Sequence, residues 1–210
     1  MAHPSEAEMK LNLYIKFLKE RLFFEPTSAT MHYNLGLAYS QKGQLDEAIS
    51  EFKQALEHDP NLVEAYVNMG GLYYQKGDLD QCIEANSKAI ALNPKMAIAH
   101  SNVGFAYLQK GDTENAIASS LSALEITPDN FQAYNNLAVA YIQADQPQES
   151  IEASLKILKM NDQFAPAHYN LAVAYRLTGD MKKAREHYEK ARTLGYPIDS
   201  AAEAEWRNVG

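Results

Sequence analysis

A period of 34 residues runs through most of the chain and constrains its fold more than any other feature of the sequence. Similar segments, from NLGLAYSQKG to NLAVAYRLTG, recur at this interval. Each carries an asparagine at the same place, at Asn34, Asn68, Asn102, Asn136 and Asn170, followed five residues later by a tyrosine. Because all the copies stay in phase, the period indicates a stack of repeated units before any local pattern is considered.

The local pattern inside one copy predicts two helices. Leu35, Ala38 and Tyr39 follow the i, i+3, i+4 spacing of one apolar helical stripe, and residues 48–56 repeat that spacing. Gly43 lies between the two stripes, where a residue without Cβ permits the positive φ of a tight turn. One helical hairpin cannot bury both of its faces alone, so neighbouring hairpins are expected to stack.

The period and these residues resemble the tetratricopeptide repeat family, over roughly Ala29 to Ile198. The resemblance implies an all-α fold, a right-handed α-solenoid of antiparallel helical hairpins. The predicted ranges are a half-repeat or capping helix at 1–28, repeat units at 29–62, 63–96, 97–130, 131–164 and 165–198, and a capping helix at 199–210.

Two departures from the repeat pattern carry expectations of their own. In the fourth unit Asp145 replaces the turn glycine and Pro147 enters the second helix, so this unit is expected to be the least regular. In three second helices Asn86, Ser120 and Ser154 replace the large aromatic residue of the family pattern. Either neighbouring side chains fill this space, or a polar notch runs through the stack.

The N-terminal segment predicts a helix with two apolar sides. Ser5 and Glu8 form a capping box at its start. Leu13, Phe17 and Phe24 form a second stripe on the side that a missing helix would have covered, and exposed apolar patches usually indicate contact. Membrane association is one interpretation, but a capping helix that also self-associates is preferred.

Charge and composition exclude several classes of partner. The net charge of −8 would repel a nucleic acid or an anionic membrane surface on average. No run approaches the roughly 18 apolar residues of a spanning helix, and the N-terminus lacks the features of a secretion signal. The single cysteine, Cys82, cannot form an internal disulfide. A cytoplasmic location is therefore the expectation.

The sequence offers no constellation that predicts catalysis, a metal or a cofactor. His32, His100 and His168 occupy equivalent places in alternate units, on the order of 20 Å apart, whereas zinc ligands converge within about 2 Å of one ion. A packing role for these rings is preferred. No phosphate loop, nucleophile elbow or pair of carboxylates is found. The expectation is a protein that is not an enzyme.

The resemblance implies a concave groove lined by the first helices, and the asparagine column faces it. A second column consists of Gln41, Gln75, Gln109 and Gln143. Apolar contact would come from Leu37, Phe105 and Val139, with Tyr33 and Tyr169 beside the asparagines. Carboxamides both donate and accept hydrogen bonds, so such a ladder could bind the backbone of an extended peptide. A similar asparagine ladder occurs in the repeat domain of O-GlcNAc transferases. Alternatively, the asparagines only bond neighbouring helices.

The sequence favours an adaptor that binds an extended, mainly neutral or apolar segment of another protein. Family members that clamp the carboxylate of heat-shock proteins use lysine and arginine on the first helices. The corresponding places here are Thr30, Tyr33, Glu64, Val67, Ile98 and Gln132. A chaperone-tail clamp is therefore not expected. The alternative function is a structural scaffold that oligomerises through the N-terminal helix.

Overall fold

The computed structural model describes residues 5–198 together with Glu203 and Trp206. Within these residues all regular structure is helical. The helices are α1 (Glu6–Phe24), α2 (Ala29–Gln41), α3 (Leu45–His58), α4 (Val63–Gln75), α5 (Leu79–Leu92), α6 (Ala97–Lys110), α7 (Thr113–Ile126), α8 (Phe131–Gln143), α9 (Pro147–Met160), α10 (Ala165–Leu177) and α11 (Met181–Thr193). The chain divides into two compact units, residues 1–102 and 103–210, with the boundary inside α6.

Sequential helices pack against one another within each unit. In the first unit α1 packs on α2, α2 on α3, α3 on α4 and α4 on α5. In the second unit α7 packs on α8, α8 on α9, α9 on α10 and α10 on α11. The hairpins α2–α3, α4–α5, α8–α9 and α10–α11 are thus present as the period predicted. The numerical limits of the repeat units stay a prediction; the predicted starts at 29, 63, 97, 131 and 165 are the first residues of α2, α4, α6, α8 and α10.

A residue with positive φ joins the two helices of each hairpin. Gly43 has φ 72° and Gly179 has φ 84°. Asp145 takes the same place in the fourth repeat with φ 57°, and it is the only non-glycine with positive φ among the described residues. Aspartate tolerates this region better than most residues. The helices α8 and α9 consequently keep lengths of 13 and 14 residues, like α2 and α3.

Glycines on the first helices let larger side chains of the second helices enter the interior. A Cβ on Gly36 would lie 2.7 Å from Phe52, and a Cβ on Gly70 would collide with the Asn86 amide. Asn86, like Ser120 and Ser154, is fully buried. The side-chain amide of Asn86 donates to the backbone carbonyl of Cys82 (2.9 Å), and the Ser120 hydroxyl donates to the backbone carbonyl of Ala116 (2.7 Å). These polar residues line no exposed notch.

The N-terminal helix α1 packs one side on α2 and leaves the other side open. Ser5 caps it by accepting a hydrogen bond from the Glu8 amide at 3.2 Å. Its buried residues are Ile15 and Leu18. No helix among residues 5–198 is both long enough and apolar enough to cross a membrane.

Most of the predicted C-terminal capping helix at 199–210 lies outside the described residues. Trp206 is described, and it is buried. The Trp206 ring stacks on the Tyr188 ring with 4.7 Å between centroids. The Arg176 guanidinium also contacts the Trp206 ring, at 5.0 Å from the ring centroid. Arg176 is therefore engaged within the second unit.

Candidate functional site

The first helix of each hairpin has a buried side and a more open side. In α4 the open side carries Glu64, Val67, Asn68, Gly71 and Gln75, which follow the spacing of one helical face. The buried residues of this helix are Ala65, Met69, Gly70, Leu72 and Tyr73. The predicted site residues of α4 therefore share the side that α3 and α5 do not bury.

Three asparagines of the predicted column lie in the first unit, and all three are half-buried. The side-chain amide of Asn68 donates to the Tyr33 hydroxyl at 3.1 Å. The side-chain amide of Asn102 donates to the side-chain oxygen of Asn86, also at 3.1 Å. The Asn34 side chain makes no hydrogen bond to any described residue. In Asn68 and Asn102 the amide group is thus engaged internally, while the carboxamide oxygen is left to accept from a partner.

The two asparagines of the second unit lie deeper. Asn136 is 0% exposed and Asn170 is 6% exposed. The Asn170 amide nitrogen has no hydrogen-bond acceptor among the described residues. A bound peptide could reach these side chains only if the surrounding helices moved. Peptide contact by Asn136 and Asn170 stays a prediction, and their burial counts against it.

The glutamine column lies at the C-terminal ends of the first helices. Gln41, Gln75, Gln109 and Gln143 are all exposed. None of these side chains makes a hydrogen bond to the part of the chain that the structure describes. Their carboxamides can therefore donate to and accept from the backbone of another chain.

The apolar residues predicted beside the columns differ in exposure. Leu37 is 39% exposed. Phe105 and Val139 are half-buried and pack against the cluster of Leu108, Ala116 and Ala140 in the second unit. At Gly71 a Cβ would meet nothing within 4 Å, so the surface of α4 is open there. Leu37 is thus the most accessible of the three predicted apolar contacts.

The two predicted tyrosines are both held by neighbouring rings. Tyr33 lies 5.6 Å from Phe52, centroid to centroid. Tyr169 stacks on Tyr196 at 4.4 Å. Burial raises the pKa of Tyr196, and the neighbouring Tyr169 raises it further. Ring contact fixes the position of both tyrosines and covers part of each ring.

A cleft of about 230 Å³ opens in the first unit where these features meet. Its lining residues are Tyr33, Glu64, Val67, Asn68, Met96 and Ile98. The sequence predicted Tyr33 and Asn68 as contacts, and it named Glu64, Val67 and Ile98 only as places that lack a cation. Met96 was missed because it lies in the loop before α6, outside both columns.

The first helices carry very few charges. Neither α2 nor α8 contains a lysine, arginine, aspartate or glutamate, and α4 contains only Glu64. The second helices carry most of the ionic groups, as in the pairs of Lys88 with Glu84 and Lys190 with Glu186. A partner that lies along the first helices therefore meets a mostly neutral surface.

The equivalent histidines act within the fold. Each of His32, His100 and His168 places Nε2 at 3.0 Å from a backbone carbonyl oxygen six residues earlier. A ring N–H can donate to such a carbonyl, so these rings hold the loop that precedes each first helix. Among residues 5–198, no group of three or more side chains could hold a metal ion.

Comparison with known proteins agrees with this architecture. A sequence model described as the TPR repeat matches residues 38–77, 70–111 and 106–145. Models of the tetratricopeptide repeat match residues 131–164 and 165–194. A search of curated proteins gave no match.

Solved structures share the fold. A crystal structure of MamA protein is 25% identical with a TM-score of 0.72, covering 85% of this chain and 94% of that chain. MamA 41-end from Desulfovibrio magneticus RS-1 is 24% identical with a TM-score of 0.74, covering 82% and 97%. YrrB, described as a TPR protein with an unusual peptide-binding site, is 18% identical with a TM-score of 0.75, covering 90% and 97%. The fold is an all-α solenoid of helical hairpins, and the chain belongs to the tetratricopeptide repeat family.

Proposed function

We propose that this protein is a non-enzymatic adaptor whose first helices bind an extended segment of another protein. The observation that carries the proposal is the cleft in the first unit, where apolar walls meet the Asn68 carboxamide and Glu64 is the one charged residue of the lining. The peptide-binding site of YrrB lends support by analogy, although that likeness concerns the fold alone.

Two kinds of contact would hold the segment. The exposed amides of Gln41 and Gln75 suit the backbone of an extended chain, since each carboxamide can both donate and accept. The cleft suits one side chain of the partner. Burying one aliphatic side chain there would contribute about 1.5–3 kcal/mol. Affinity from a single cleft and a few amides would be modest, which is usual for adaptors that exchange partners.

The test uses Ile98→Lys, which places a positive charge in the cleft. Ile98 is 51% exposed, so the substitution should leave the fold intact. Peptides selected on the full chain from a random ten-residue library would be measured by fluorescence polarisation. We expect Ile98→Lys to weaken their binding at least tenfold, because the partner's side chain would face an ammonium group in place of part of the aliphatic wall.

A matched control is Leu121→Lys on the second helix α7. Leu121 is 43% exposed, and the substitution changes the net charge by the same amount. It should leave binding unchanged. Equal losses in both variants, or no loss in Ile98→Lys despite unchanged circular dichroism, would rule out the cleft as the binding surface.

A second candidate function is a scaffold that self-associates through α1. The favouring observation is the exposure of Leu13 (67%), Phe17 (55%) and Phe24 (77%) on the side of α1 away from the buried Ile15 and Leu18. Together these side chains form an apolar stripe along most of the helix, and apolar patches of this kind usually mark contacts.

Light scattering would test this second function. The full chain is expected to show a mass above that of the monomer at micromolar concentration. Replacing Leu13, Phe17 and Phe24 by serine should return it to the monomer mass with unchanged helix content, because none of the three is buried. A monomer mass for the unaltered chain across the concentration range would refute self-association.

A further inference from the structure

The cleft of the first unit combines apolar walls with one carboxylate. Val67 and Ile98 provide aliphatic surface, Tyr33 provides a ring, and Glu64 is the only formally charged residue of the lining. Glu64 lies one helical turn before Val67 on the same side of α4. The negative charge therefore sits at one edge of an otherwise neutral depression.

Glu64 is exposed and has no partner of its own. It makes no ion pair or hydrogen bond with any described residue. Several other acids of the first unit are engaged, as in Asp46 with Lys76 and Glu84 with Lys88. Glu64 is thus an acid on the open side of a first helix that no cationic side chain of the described residues neutralises, while the N-terminus of α4 favours a negative charge at this place.

We propose that the cleft binds a lysine or arginine side chain of the extended segment, an inference that rests on the proposed function. Long cationic side chains lay their methylene groups on apolar surface and keep the charged end at a polar site. Val67 and Ile98 would contact the methylene groups, and Glu64 would receive the charged end. A volume of about 230 Å³ admits one such side chain.

Charge elsewhere in the protein agrees with a cationic residue at this point. Neither α2 nor α4 carries a lysine or arginine that could compete for Glu64. The net charge of −8 also attracts a basic peptide over distances up to the screening length. An acidic residue of the partner would meet repulsion at Glu64, although Lys95 lies next to Met96 of the lining.

The experiment compares peptides and protein variants in one cycle. Peptides from the random library are selected on the full chain, and the best binder is synthesised with and without its Lys or Arg replaced by Met. Both peptides are then titrated against the unaltered protein, Glu64→Gln and Glu125→Gln. Glu125 is exposed on the second helix α7, so its substitution removes the same charge away from the cleft.

We expect the selection to enrich Lys or Arg at one position. Replacing that residue by Met should weaken binding about two- to fivefold, as expected for a partly exposed charge pair. Glu64→Gln should weaken the binding of the cationic peptide by the same factor, so that it binds no more tightly than the Met peptide. Glu125→Gln should preserve the tighter binding of the cationic peptide.

Four outcomes would overturn the inference. In the first two, Ile98→Lys abolishes binding, but the selected peptides bind Glu64→Gln as tightly as the unaltered protein, or they show no position with Lys or Arg. The cleft then takes a neutral apolar side chain, and the proposed function stands. Equal losses in Glu64→Gln and Glu125→Gln would assign the effect to overall charge. Binding that survives Ile98→Lys would overturn the proposed function as well.

Discussion

Adjacent glycines in α4 show how closely the interior and the open surface lie to each other. Gly70 faces the Asn86 side chain, whereas a Cβ on Gly71 would meet nothing within 4 Å. Neither residue has positive φ. The two positions therefore differ only in the space that a methyl group would enter.

We expect Gly71→Ala to raise the free energy of unfolding by about 0.5–1 kcal/mol, because alanine loses less backbone entropy in a helix than glycine. Gly70→Ala should lower it by about 1–3 kcal/mol, because the new methyl group would displace the buried Asn86 amide. Urea unfolding of the two variants measures both effects. Changes of the same sign would contradict the interior that the structure describes.

The pair of His168 and His187 in the second unit makes stability depend on pH. Their Nδ1 atoms lie 2.9 Å apart, and the rings stack at 5.2 Å. Because His168 Nε2 faces the Asp162 carbonyl, its Nδ1 is the acceptor when the ring is neutral, and His187 donates. Burial lowers the pKa of His187 to about 4, with a further contribution from His168.

A lowered pKa means that the unfolded chain binds this proton more readily than the folded chain. The free energy of unfolding should therefore be unaffected by His187 above about pH 6.5 and should fall between about pH 6.5 and pH 4. The limiting slope is about 1.4 kcal/mol per pH unit for one proton. His187→Ser, which introduces the residue found at the equivalent Ser119, should flatten this part of the profile. An unchanged slope between pH 6.5 and pH 4 in His187→Ser would contradict this prediction.

At the scale of the helix, the sequence period predicted the hairpins well. The 34-residue interval fixed which residues face inward, and Ala38, Ala48 and Tyr39 are buried as the stripe required. Even the irregular fourth repeat keeps its helices, because Asp145 adopts the conformation of the glycine that it replaces.

The depth of each asparagine could not be predicted from the same period. The column is identical in sequence, yet Asn68 is half-buried while Asn136 is fully buried. The exposure of each asparagine depends on the side chains of the neighbouring helix, as when Asn86 accepts a hydrogen bond from Asn102. A column therefore identifies the face of a helix but not the accessibility of its side chains. The loop residue Met96 escaped notice for the related reason that it belongs to no column.

Helix capping provides a prediction at this scale. Asn130 caps α8 by accepting a hydrogen bond from the Ala133 amide at 3.0 Å, whereas Ser28 at the start of α2 makes no such bond. Asn130→Ala should reduce the free energy of unfolding by about 1 kcal/mol, since the amide loses its acceptor. Ser28→Ala should change it by only a few tenths. Chemical denaturation would show the difference, and an equal cost at both caps would be inconsistent with the structure.

For the molecule as a whole, membership of the family indicates the class of function but does not identify the partner. In the proposed function Gln41 and Gln75 would bind backbone and accept many sequences, so they predict little about the side chains of the bound segment. Specificity has to come from the few positions that differ between repeats. Glu64 is such a position, since α2 has Thr30 and α8 has Gln132 in its place.

Net charge then predicts how a basic segment should associate. With a charge of −8 the protein attracts a cationic peptide before contact, and this attraction weakens as salt shortens the screening length from about 10 Å at 0.1 M. Stopped-flow measurements with the selected cationic peptide should show the association rate constant falling about three- to tenfold between 0.05 and 0.5 M NaCl. The dissociation rate constant should change less, because attraction at a distance acts mainly on encounter. The Met-substituted peptide is the control, and its association should depend less on salt. If both peptides respond equally, the charge of the peptide does not guide binding, and the contact must depend on the apolar walls of the cleft.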